Sequence, residues 1–153
     1  MVEMKRILFL TDFSPEATAA LTYAHDLAEK FNGRLYLLHV IVDPTSMLYE
    51  MTSGDYHALD RNAREKAQER LAQIRRDQLK NSPGCEVLIE RGELFEHVLH
   101  TVHEHHIDVV ALSAHTHPGF HLHLISSLPE KLVRKAPCHV FVIHNAGQER
   151  IAQ

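Results

Sequence analysis

Several things are missing from this chain, and each absence removes a class of protein. No apolar run reaches the ~18 residues of a membrane span. The short run Ile7–Leu10 ends at Thr11-Asp12 and makes no secretory h-region, so the expected address is the cytoplasm. Lys and Arg number 16 against 20 Asp and Glu, a net charge of −4 with histidine neutral. A general binder of nucleic acid or of an anionic membrane needs a basic face, so neither partner is expected. Only two cysteines occur, Cys85 and Cys138, and they form no CxxC pair. Both stand at the expected start of a strand and read as small buried hydrophobes. Thr11-Asp-Phe-Ser-Pro15 lacks the glycines of a dinucleotide fingerprint, and neither a Walker A pattern nor a Gly-x-Ser-x-Gly elbow occurs. A receiver domain would end its third strand on an aspartate, where this chain has Glu90-Arg91-Gly92. From Gly92 to Glu130 there is no Lys or Arg.

Histidine, by contrast, is abundant, with fourteen residues. Protonating all of them would move the formal charge from −4 to +10, and imidazole titrates between about pH 5 and 8. His117, His121 and His123 could offer imidazoles to a transition metal. With no Cys, Asp or Glu nearby to complete four ligands, solvated loop histidines are expected and no metal site is assigned. His97, His100 and His103 fall off the apolar stripe of their helix and read as a wet face. His39 interrupts an apolar strand and reads as a satisfied core or site-edge residue rather than a catalytic base.

The rest of the pattern alternates strand and helix. Arg6–Leu10 is a continuous apolar run, as a parallel strand covered on both faces requires. Ser14-Pro15-Glu16 supplies an N-cap with proline at the first helical position. The small and apolar residues that follow, Ala17 to Phe31, recur at helical spacing until Asn32-Gly33. Leu35–Val42 is the second strand, residues 45–55 a loop, and Tyr56–Leu79 a charged helix with Ala63, Ala67, Leu71 and Ile74 inward. Cys85–Glu90, Ile107–Leu112 and His139–His144 are the remaining strands. Helices at 94–102 and 128–135 separate them. Five strands and four helices predict one α/β domain over residues 1–153, with a core of about 4–144 and a tail of 145–153. Its sheet is doubly wound and parallel, and ligands bind such sheets beyond the C-terminal strand ends.

Lys5-Arg-Ile-Leu-Phe-Leu-Thr-Asp12-Phe-Ser14, Leu37-Leu-His-Val40, Arg91-Gly92-Glu93 and Ala136-Pro137-Cys138 together resemble the universal stress protein family over roughly residues 4–144. The resemblance implies strand order 3-2-1-4-5 and an adenine-nucleotide alpha-hydrolase-like fold. Members that bind ATP carry Gly-x2-Gly-x9-Gly-(Ser/Thr). The aligned positions here are Ser113, Thr116, Ser126 and Ser127, so the spacing is kept and the three glycines are gone. The family's nucleoside-side positions fall on Asp12 and Val40. A Cβ at Ser113 and a β-branched Thr116 stand where backbone should approach phosphate. Ser127-Leu-Pro-Glu130 reads as a capping box, with Pro129 removing one N–H from the first helical turn. Only histidines are expected to supply positive charge near this loop.

These readings give a non-catalytic, dimeric stress-response module with weak or no ATP binding and an unidentified regulatory protein partner. The dimer would form through the last strand, Val140–Ile143. The alternatives are an ATP-dependent switch on the same fold and a histidine-based metal or pH responder.

Overall fold

The computed structural model describes residues 1–42, 53–80, 82, 84–114 and 128–144. In chain order these form β1 (Arg6–Leu10), α1 (Pro15–Lys30), β2 (Arg34–Ile41), α2 (Ser53–Gln78), β3 (Cys85–Arg91), α3 (Leu94–Glu104), β4 (Val109–Ser113), α4 (Leu128–Lys135) and β5 (His139–Ile143). All four strand pairs are parallel, in the order β3-β2-β1-β4-β5. The expected α/β doubly wound sheet is therefore present, with four helices among the described residues. Among those residues, no helix is long and apolar enough to cross a membrane.

Strand alternation sorts the core into two layers. Ile7, Phe9, Leu35, Leu37, Val109, Ala111 and Ile143 face α1 and α2, where they meet Ala20, Leu21, Ala24, Ala28 and Leu71. Leu8, Tyr36, Leu38, Val40, Val110 and Leu112 face the other way, onto Val98 and Val102 of α3 and Leu128 and Leu132 of α4. Because β1 is covered on both sides, Ile7, Leu8 and Phe9 are all fully buried, which accounts for its unbroken apolar sequence.

The N-terminal edge of the sheet is tied by Asp108. Its Oδ2 accepts the backbone N–H groups of Lys5 (2.9 Å) and Arg6 (2.8 Å). Its own N–H donates to Arg6 O (2.8 Å), and its carbonyl accepts from His139 N–H (3.0 Å). Gly33 fits beside this edge only because it lacks a side chain: a Cβ there would lie 2.8 Å from Lys5 O and 2.9 Å from Met4 O.

Some boundaries depart from the sequence reading. α2 begins at Ser53, so part of the expected loop 45–55 is helical, while residues 43–52 lie outside the described set. Arg91 and Ser113 close strands rather than opening loops, each paired to its neighbour (Ile41↔Arg91 and Ser113↔Ile143). Ile107 precedes β4 instead of belonging to it, and His144 follows β5. Cys85 and Cys138 are half-buried, and burial raises the pKa of both thiols.

Candidate functional site

At the C-terminal end of β1 the chain turns through Thr11, Asp12 and Phe13 into α1. Thr11 Oγ1 accepts from Phe13 N–H (3.1 Å), and Asp12 Oδ1 accepts from Ser14 N–H (2.9 Å). Ser14 Oγ then caps the helix by accepting from Ala17 N–H (3.1 Å), as the Ser-Pro signal predicted. These bonds hold Phe13 at φ +64°, a left-handed conformation that an aromatic residue rarely adopts.

The Phe13 ring lies against His39 of β2, with centroids 4.2 Å apart. On α2, the Arg70 guanidinium sits 4.9 Å from the centre of the Phe13 ring and donates to Phe13 O (3.3 Å). Asp12, Phe13, Ser14, His39, Lys66 and Arg70 line an open cavity of about 500 Å³ at this strand end. The sequence reading missed the two α2 cations, having named only histidines as local positive charge. Arg70 and Phe13 are 57 residues apart, and no local spacing announces their meeting.

His39 is only 9 % exposed, and its Nδ1 lies 2.8 Å from Thr11 O. A carbonyl can only accept, so the proton is on Nδ1 and the neutral ring leaves Nε2 as an acceptor. Burial is the main influence on its pKa, lowering it below 6.5; the bond to Thr11 and the charge of Asp12 partly oppose this, and Arg70 adds to it. His39 is thus the site-edge residue expected, held neutral.

Val40 is buried on the opposite face of the sheet. Its backbone matters more than its side chain. Thr11 N–H donates to Leu38 O (3.0 Å), which is the last bond between β1 and β2. Two residues on, the same alternation aims the Val40 N–H and C=O toward the β1 side, past the end of β1 at Leu10. Asp12 thus follows the end of β1, and Val40 lies in the part of β2 that runs past that end.

Ser113 ends β4 on the other side of β1, and Ala114 N–H donates to Ile143 O (2.9 Å). Thr116, Ser126 and Ser127 lie outside the described residues, as do His117, His121 and His123. Glu130, half of the expected capping box, pairs forward with Arg134 (2.9 Å). His97 is not wholly wet: it packs over Gly92, where a Cβ would come within 2.7 Å of its Nε2. His100 and His103 are exposed, and His105 lies against Tyr36 (4.9 Å). A further tie at this end of the sheet joins Arg91 Nε to Asp60 Oδ1.

This architecture, a five-stranded parallel sheet in the order β3-β2-β1-β4-β5, has the adenine-nucleotide alpha-hydrolase-like α/β fold. The family is settled by its model, described as the universal stress protein family, which matches residues 3–144; the chain belongs to that family. Universal stress protein C of Escherichia coli K12 is 29% identical over 114 residues, covering 74% of this chain and 78% of that protein. The structure of universal stress protein UspA from Lactobacillus plantarum superposes with a TM-score of 0.75 at 24% identity, covering 94% of this chain and 99% of that one. A family protein from Arabidopsis thaliana, solved with AMP bound, gives a TM-score of 0.63 at 15% identity over 95% of this chain and 93% of its own. Members of the family are generally non-enzymatic.

Proposed function

We propose that this chain is a non-catalytic, cytoplasmic stress-response module that self-associates through β5 and holds an adenine nucleotide weakly, by its nucleoside end. The observation that carries this reading is the asymmetry of the crevice. On the β2 side, Asp12 and His39 line a cavity, and the backbone of Val40 runs past the last rung between β1 and β2. On the β4 side, serine stands at the first position where ATP-binding members carry glycine. A Cβ there keeps backbone N–H groups away from phosphate oxygens. The AMP bound to the Arabidopsis relative supports a monophosphate as a sufficient ligand for this fold.

Calorimetric titration tests the reading. Mg-ATP is expected to bind no tighter than the micromolar range, with AMP within ~10-fold of it, a difference of only ~1.4 kcal/mol for the added phosphates. Replacing Ser113, Thr116 and Ser126 together by glycine is expected to raise the affinity for ATP and leave that for AMP unchanged. A tight stoichiometric ATP isotherm from the natural sequence would overturn the proposal.

A further inference from the structure

We propose that His25, Asp26 and Glu29, on the outer flank of α1, form a binding site for one divalent first-row metal ion such as zinc. Ten residues of helix, ~15 Å of rise, separate His25 from the turn that opens the nucleotide crevice, so this is a different place on the molecule. Glu29 follows His25 by four residues and Asp26 by three, the two helical spacings that bring side chains together, so it stands beside both.

Two observations bear on the site independently. The donor atoms of the three side chains, one imidazole nitrogen and two carboxylate oxygens, lie within 4.8 Å of one another. Separately, His25 Nε2 is buried and makes no hydrogen bond, in a side chain only 14 % exposed. A buried ring nitrogen without a hydrogen bond is unfavourable, and coordination would satisfy it. The nearest acid, Glu29 Oε1, stands 3.5 Å from Nε2. That is long for a hydrogen bond, but two atoms bound to one tetrahedral ion at ~2.1 Å sit ~3.4 Å apart. The Asp26 carboxylate is exposed, and one of its oxygens lies within 4.8 Å of the other two donor atoms. One imidazole with two carboxylates suits zinc or a similar borderline ion. The two negative charges balance the ion's own, and water fills the remaining coordination.

The loop histidines offer a rival location, so the test separates them. Zinc is titrated into the full chain in competition with a chromophoric chelator, at pH 7.5. One equivalent is expected on the natural sequence. Asp26→Asn and Glu29→Gln, both exposed positions, are each expected to weaken it at least ~10-fold by deleting a ligand. Replacing His117, His121 and His123 together by asparagine is expected to leave that equivalent in place. Zinc should also raise the melting temperature of the natural chain and not that of Glu29→Gln, whose metal-free melt serves as the folding control. Unchanged zinc affinity in both carboxylate variants, or loss of the equivalent with the loop histidines alone, would overturn the proposal.

Discussion

At the scale of single residues, the site depends on His39 remaining uncharged. Its Nδ1–H is committed to Thr11 O, its ring lies against Phe13, and the Arg70 guanidinium stands over the Phe13 ring. Burial lowers the folded-state pKa below the unfolded value of 6.5. The unfolded chain therefore takes up this proton first as pH falls. The contribution of His39 to stability is complete above pH 6.5 and is lost progressively below it, down to the folded pKa. Denaturant unfolding from pH 7.5 to 5 is expected to show stability falling, with His39 adding at most ~1.4 kcal/mol per pH unit to the slope. His39→Gln should remove that share; an identical slope in the variant would show that the ring is not held neutral. The Ser14 cap and the site-edge position of His39 were legible because both are local matters of residue type and strand period. The Lys66 and Arg70 contribution was not. It depends on how α2 settles over the β1–α1 turn, a tertiary arrangement that helical periodicity cannot reveal.

At the scale of elements, α2 is a long helix held by a narrow seam. Ala67 and Leu71 are its buried residues along the sequence's predicted stripe, with Ala63 and Ile74 half-buried beside them. Charged residues cover the remaining faces. Deleting the fully buried Leu71 side chain is expected to be destabilising by ~2–5 kcal/mol. The consequence should reach the crevice, because the same helix carries Lys66 and Arg70. Thermal melts and AMP titration of Leu71→Ala should show both losses; a lower melting temperature with unaltered AMP affinity would separate α2 from the site. The helix's apolar period could be read from sequence, but its first turn could not. Ser53-Gly-Asp55 resembles a loop in composition, and the helix nonetheless begins there. The strand ends at Arg91 and Ser113 were misjudged for a related reason: ladder pairing across the sheet extends a strand past its apolar residues.

At the scale of the whole molecule, β5 lies at the edge of the sheet. Its Phe141 is 38 % exposed on the side that α1 only partly covers, while Val140 and Val142 are half-buried on the other. An unpaired edge with an exposed aromatic favours association, which supports the proposed homodimer. Sedimentation equilibrium is expected to show a dimer for the natural chain and monomer for Val140→Pro, which removes an N–H and a ladder position. A monomeric natural chain would end that proposal. Strand order and sheet edge were legible from the alternation of elements and the family resemblance; the dimer expected from the same apolar edge strand is what the sedimentation experiment tests.

The Asp108 tie at the base of the sheet has a consequence for how such a molecule opens. One residue there serves three strands at once, through two backbone N–H groups of the chain entering β1, the β1 carbonyl of Arg6, and the N–H of His139 at the start of β5. At the opposite end, among the described residues, the strand ends are tied in pairs, Thr11 N–H to Leu38 O, Gly92 N–H to Ile41 O and Ala114 N–H to Ile143 O. Local opening should therefore be hinged: the crevice rim can part in separate pieces, whereas β1, β4 and β5 release at their base only together. Exchange of the proposed nucleotide at the rim would then leave undisturbed the edge strand through which pairing is proposed.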